Sequence, residues 1–424
     1  MGCGASSEAP PVAPIAKPAN VPPPRDERDP EWSLLVLQDD LSKVTAGASI
    51  PGYYLVVHDN KGHETPRLSV VCLSKGTCEE VIIKDKGRGL RTAMDLECLW
   101  TVDAKVTGKQ QNYYMAMTSI GDAWMFKISK RKKKWVAHGV HPFKVAAPPG
   151  ANTAHTNCEG ARAYLENGQL WLEYASRGGR HQGQPVAPWV VRHPLDIKAI
   201  RKGTFTVNPA SLTDVTYWPP TVGGNPDVRQ CADLGQAVGM ARFGQLHAAA
   251  FDDEVHETGF FSYILERLPG AQSGGVENLK PLFKLYGGKI EAIYDITKDL
   301  SLIGTDDEGR GAYLTLLHRH SGAAWKVQLT PPGGADPRLY GISGISPVDP
   351  SIKKEKDESS SEEEEDSDQD DDEEEEEREV EGSHHSKASK MSAADVASAV
   401  GDAVEDVADT GTLGGLFGGG NKDD

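Results

Sequence analysis

Between Trp32 and about residue 345 the chain breaks into roughly twenty short runs of four to seven residues. They are rich in aromatic and β-branched side chains and are bounded by Gly, Pro, Asn and Asp. Residues 53–57, 68–73, 113–117, 124–128, 170–174 and 313–317 are the clearest. Almost nowhere does an apolar 3.6-residue period persist for three turns, so helices should be few. The middle of the chain is therefore expected to be all-β.

A repeat organises these runs. Asp95-Leu96-Glu97-Cys98-Leu99-Trp100 precedes a strand-like run, a turn at Gly121-Asp122 and a second run. Asn157-Cys158-Glu159-Gly160-Ala161 leads to a turn at Asn167-Gly168, and Lys289-Ile290-Glu291-Ala292 leads into DLSLIGTDDEG. Glu97 and Glu159 are 62 residues apart, and Glu159 and Glu291 are 132 apart, close to two further units. The intervening copy falls near residues 225–235, where PDVRQCADLG has no matching Glu. One unit before Glu97 lies Trp32, where the strand texture begins. Units of this length with about four strands each predict a β-propeller of five blades, or six if the turn-rich tracts 140–157 and 205–232 hold extra strands. β-Sandwiches would need two or three domains, and no linker is visible between Trp32 and residue 345.

The DLE, CEG and KIEA steps, with GTDDEGRG after the last, resemble those of phytase-like and related soluble β-propellers. Those proteins carry D-L-E-G or K-[IV]-E-G/A steps at the start of inner strands. The likeness covers residues 95–130, 158–176 and 289–318. It implies a propeller in which acidic residues near the central channel hold calcium ions and substrate phosphate. Glu97, Glu159 and Glu291 are the residues that align with such steps, while Asn157 and Lys289 stand where Asp is expected.

The flanks differ in kind. Residues 1–30 contain eight prolines and almost no large apolar side chain, so they are expected to be a disordered tether. Met1-Gly2-Cys3-Gly4-Ala5-Ser6 satisfies M-G-x-x-x-[ST], which predicts myristoylation of Gly2. One such chain binds membranes reversibly, with an association constant of about 10⁴ M⁻¹, and S-acylation of Cys3 supplies the second signal. No run approaches a membrane-spanning length, and no apolar signal segment follows Met1. The six cysteines include no C-x-x-C pair, which fits a reducing compartment. The cytoplasmic face of a membrane, plasma or ciliary/flagellar, is the expected location.

The formal charge of −18 is local: Asp357 to Glu381 hold 18 acidic residues and one basic, leaving about −1 elsewhere. Residues 346–390 are therefore expected to be a disordered acidic tail in which Ser359, Ser360, Ser361 and Ser367 suit an acid-directed kinase. Residues 391–424 are expected to form a short helix and a glycine-rich end. One basic block interrupts the nearly neutral domain: Lys130, Arg131, Lys132, Lys133 and Lys134. It suits a solvated loop, an anionic membrane or an acidic partner, whereas nucleic acid is disfavoured because the remaining domain is not basic.

No zinc-protease motif, nucleophile elbow, phosphate loop or dinucleotide fingerprint occurs. The repeat glutamates either fasten neighbouring blades by accepting backbone N–H bonds or converge, with Asp306 and Asp307, on a channel that binds a cation such as Ca²⁺. Two functions follow. One is a lipid-anchored, non-enzymatic scaffold presenting surfaces to protein partners. The alternative is a calcium-dependent phosphoesterase or related hydrolase, with Glu97, Glu159 and Glu291 catalytic.

Overall fold

The computed structural model describes residues 33–34, 37–38, 52–60, 65–108, 111–149, 151, 156–181, 184–218, 230–236, 242–251, 261–272, 275–306, 312–328, 341–348 and 352. The expected lipidation sites Gly2 and Cys3, the candidate Asp307, and the candidate phosphorylation sites Ser359, Ser360, Ser361 and Ser367 lie outside these residues.

The described chain is mostly β, with propeller-like architecture. Two short strands, β1 (Ser33–Leu34) and β2 (Leu37–Gln38), come first. A first meander follows: β3 (Tyr53–Val57), β4 (Leu68–Cys72) and β5 (Thr77–Ile83). The second is β6 (Leu96–Val102), β7 (Tyr113–Thr118), β8 (Asp122–Arg131) and β9 (Lys134–Lys144), with one helical turn, α1 (Ala104–Thr107), between β6 and β7. Next come β10 (Cys158–Glu166) and β11 (Gln169–Ser176), a small hairpin of β12 (Gly179–His181) and β13 (Gln184–Val186), then β14 (Trp189–Pro194), α2 (Ile197–Arg201) and β15 (Thr213–Tyr217). The fourth meander is β16 (Gln230–Leu234), β17 (Leu246–Phe251), β18 (Phe261–Gln272) and β19 (Val276–Tyr286). The last is β20 (Ile290–Asp295), β21 (Leu300–Thr305), β22 (Tyr313–His318) and β23 (Ala324–Gln328), before a final strand β24 (Gly344–Pro347).

Within each meander the strands pair antiparallel. The eight-stranded sheet β24-β3-β4-β5-β9-β8-β7-β6 is two such units joined at their outer edges by the parallel pair β5/β9, Val81 facing Trp135. The nine-stranded sheet joins the third and fourth units in the same way through β15/β19. The final strand β24 returns to pair with β3, Gly344 opposite Val57, so the C-terminal end of the domain completes its first unit. The residues just after Trp32, expected to open the first unit, instead add short parallel strands to the outer edges β19 and β23.

Burial explains the sequence texture. Strands β3, β4, β6 and β7 are sandwiched between neighbouring units, so both faces are buried and the runs are continuously apolar. The outer strands β5 and β9 mix buried with exposed positions, being less completely covered than the inner strands. Buried apolar clusters fill the gaps between successive units. Leu55 and Val57 on one face of β3 pack toward Leu99 and Tyr114, while Tyr54 and Val56 on the other face meet Leu302 and Leu314. Trp100 and Met115 meet Tyr164 and Tyr174; Ala175 and Val190 meet Cys231 and Tyr263; Ala248 and Ile264 meet Ile293 and Ile303. The first unit thus packs on the last. Such burial contributes about 1.5–3 kcal/mol per large side chain.

The gap between the third and fourth units also holds charge. Arg162 Nε donates to Glu173 Oε2 at 2.8 Å, Arg267 Nη1 donates to the same oxygen at 2.6 Å, and Arg267 Nη2 donates to Glu277 Oε1 at 2.8 Å. All four side chains are buried. Although burial alone would raise the Glu173 pKa, the two arginines hold it well below the usual carboxylate range. Glu173→Gln would leave two guanidinium groups short of countercharge, and a loss of about 3–5 kcal/mol is expected in urea denaturation. A midpoint equal to that of the unmutated chain would show that the ladder contributes nothing.

Candidate functional site

The inner strands β6, β10, β16 and β20 share one irregularity. Ladder register slips between Leu96 and Cys98, between Cys158 and Gly160, between Cys231 and Asp233, and between Ile290 and Ala292. The residue skipped at each slip is Glu97, Glu159, Ala232 and Glu291. A bulge releases one residue from the pleat and re-aims its side chain. The three glutamates are turned into one cavity of about 270 Å³. The copy without a matching Glu is therefore located: Ala232 takes its place on β16. Ser343, just before β24, lines the same cavity.

More charged groups surround them. Asp95 and Asn157 stand two residues before their glutamates in left-handed backbone, φ 66° and 44°, a conformation that short polar side chains tolerate. Lys289 holds the corresponding place before Glu291. From the ends of the neighbouring strands come Asp59, Ser119, Arg177 and Asp306. Ser119 Oγ donates to Asp95 Oδ2, and Asn157 Nδ2 is held by the carbonyl of Gly178 at 2.7 Å. At Gly341 an added Cβ would lie 2.4 Å from the Asp306 carboxyl carbon, so glycine leaves room for that carboxylate.

The lining includes six carboxylates and two cationic side chains, and no apolar side chain. Arg177 Nη1 lies 3.8 Å from Glu159 Oε1, and Lys289 Nζ lies 3.1 Å from Glu291 Oε1. Glu291 is 4% exposed and neither of its oxygens accepts a hydrogen bond of normal geometry, the Lys289 contact notwithstanding. Burial, followed by the charge of Glu159 and then of Asp59, Glu291 and Asp95, pushes Glu97 well above the ordinary carboxyl range. Burial also pushes Glu159 up to about 8; Arg177 and Lys289 oppose the shift, while Glu291 and Asp95 add to it.

Oxygens of Asp59, Asp95 and Glu97 all lie within 4.8 Å of one another. Calcium–oxygen bonds of about 2.3–2.6 Å place ligands on opposite sides of the ion roughly 5 Å apart, so this group fits a hard cation's donor set. Farther along β6 the basin gives way to packed polar groups. Gln236 accepts from Thr101 N at 3.1 Å and donates to Thr101 O at 2.7 Å, linking β6 to the chain leaving β16.

The structure thus brings Glu97, Glu159, Glu291 and Asp306 together. Sequence reasoning missed Asp59, Asp95, Arg177 and Lys289 as members of the site. The place two residues before each glutamate was the available signal for Asp95 and Lys289; nothing local marked Asp59 or Arg177. The basic block lies elsewhere, at the tip of the β8–β9 hairpin.

No protein-family model and no curated protein matches the chain. Among solved structures, an α-L-arabinofuranosidase from Lactobacillus brevis is similar with a TM-score of 0.32 at 10% identity, covering 55% of this chain and 73% of that one. A levansucrase mutant from B. megaterium gives 0.30 at 11% identity over 60% and 72%. A puromycin hydrolase mutant complexed with PGG gives 0.30 at 10% over 73% and 44%. At such TM-scores none of these likenesses bears on what the chain does.

The raised Glu159 pKa sets a pH dependence. In the fold this group keeps its proton to about pH 8, whereas unfolded it ionises near its ordinary 4.5. The folded state therefore holds a proton that the unfolded chain has lost between about pH 4.5 and 8, so this group makes stability fall with rising pH across that interval and adds no further slope above it. Buried His58 and His138, both lowered to about 4, act in the opposite sense only below about pH 6.5. With chelator present, denaturation midpoints should decline between about pH 6.5 and 8 and level off above, and Glu159→Gln should flatten the decline. An unchanged slope in that variant would assign the effect elsewhere.

Proposed function

We propose that this chain is a five-bladed β-propeller scaffold, held at the cytoplasmic face of a membrane by acyl groups on Gly2 and Cys3, that binds Ca²⁺ in its axial acidic basin. The propeller reading is supported by five antiparallel units of four strands and by β24 closing the first against the last. The observation that carries the cation site is the meeting of Glu97, Glu159 and Glu291 with Asp59, Asp95 and Asp306 around two counter-cations. So many carboxylates in one basin either keep protons, as the raised Glu97 and Glu159 do, or gather around a cation that replaces them. A scaffold role fits the rest: the lining offers no apolar platform for a larger ligand, and the flanks carry the interaction devices.

A second reading rests on Arg177 and Lys289. These cations line the basin beside the carboxylates, Arg177 near Glu159 and Lys289 near Glu291, and would hold an anionic group beside a bound metal, the arrangement a calcium-dependent phosphoesterase needs.

Calorimetric titration of the chelator-treated protein should show Ca²⁺ binding that strengthens with rising pH, favours Ca²⁺ over Mg²⁺, and falls at least about tenfold in Glu97→Gln. Absence of binding heat and of any thermal shift would sink the cation site. Hydrolysis of a generic phosphomonoester by the same samples, lost on chelation and in Glu291→Gln, would favour the second reading. For the anchor, Gly2→Ala should move the protein from membrane to soluble fractions, and Cys3→Ser should leave weak, reversible attachment. Unaltered pelleting of Gly2→Ala would overturn it.

A further inference from the structure

The β8–β9 hairpin carries a charge unlike its surroundings. Residues 122–144 hold seven lysines and arginines against one acid, Asp122, which pairs with Lys144 at 2.8 Å at the far end. The excess is concentrated at the tip, where Arg131, Lys132, Lys133 and Lys134 are all exposed. Beneath them Lys130 Nζ lies 4.5 Å from the centroid of the buried Trp135 ring and 5.6 Å from that of Tyr53. This contact ties the base of the hairpin to the aromatic side chains below it.

The turn itself departs from local preference. Arg131 pairs with Lys134, so Lys132 and Lys133 are a two-residue loop, with φ of 45° and 67°. Both central residues are left-handed, the type I′ geometry for which Asn-Gly is favoured and a long side chain is strained. Another two-residue hairpin turn of the same protein, between β10 and β11, is built from Asn167-Gly168, at φ 53° and 77°. Two lysines at the strained positions keep a charge there against the backbone's preference, and such departures mark function. Protection of a sheet edge does not account for them, because a turn presents no strand edge to be paired.

We infer that this tip is a contact for an anionic lipid leaflet, a second attachment point that deepens the membrane part of the function proposed above. The charge is gathered on one narrow projection, suited to touching a negatively charged plane. Nucleic acid is less well matched. Trp135 and the rest of the aromatic base are packed under Lys130, so no ring is displayed for a base to stack on, and a single hairpin forms no groove to track a backbone.

The test uses the full chain carrying Gly2→Ala, so that acyl chains contribute nothing and failure of this contact is distinguishable from failure of the anchor. Co-sedimentation with vesicles of phosphatidylcholine mixed with phosphatidylserine is expected, with little on phosphatidylcholine alone, and should weaken as salt is raised. Replacing the tip by Arg131→Gln, Lys132→Asn, Lys133→Gly and Lys134→Gln supplies the favoured turn residues, so folding is preserved. Binding should then fall by about tenfold or more, given what four cations contribute at an anionic surface. Equal binding to both vesicle types, or undiminished binding by the tip variant, would overturn the inference. So would tighter binding of the Gly2→Ala chain to a single-stranded oligonucleotide than to the phosphatidylserine vesicles at the same salt.

Discussion

The close approach of the inner strands to one another is the constraint on which the rest of this structure depends. It is visible where the chain has no side chain to spare. A Cβ on Gly160 would lie 2.5 Å from the backbone nitrogen of Leu234, and one on Gly344 would lie 2.6 Å from that of Leu99. Neighbouring units are thus seated backbone against backbone at these inner strands, with apolar side chains such as Trp100 and Tyr174 packed between units. Crowding of this kind leaves little room at the strand starts, and bulges there send the glutamates of β6, β10 and β20 into the same small volume. The acidic basin follows from the packing geometry and from the choice of Glu at three of those places.

Much of the fold was legible because it is written locally. Alternating or continuous apolar runs gave the strands, and Asn167-Gly168 gave a hairpin that the structure contains. What could not be read locally was closure. The pairing of Gly344 with Val57 joins residues nearly three hundred positions apart, and no periodic signal in β24 distinguishes it from a loop-flanked fragment. Ser33 and Leu34 misled for a related reason: their texture is that of a strand, but they pair with the outer edge of another unit. At the site, the glutamates were legible through their repetition. Asp59 and Arg177 reach the basin from the ends of different strands, and their membership depends on tertiary placement alone.

The same fold holds acidic side chains in two opposite ways, and the contrast separates architecture from function. Glu173 is only 1% exposed, yet Arg162 and Arg267 both donate to it and keep it ionised. That carboxylate is satisfied by its own chain and needs nothing from solution. Glu159 and Glu97 are pushed the other way, because burial and neighbouring negative charge outweigh what Arg177 and Lys289 return. Had the basin's task been to fasten blades, arginines placed as at Glu173 would have served it, and the sequence shows that this protein can build such a ladder. A cluster left short of positive charge is instead a store of unfavourable electrostatic energy, relieved by protons at low pH and, on the function proposed above, by a divalent cation at higher pH. On that proposal, the countercharge the basin lacks is what the bound cation would supply.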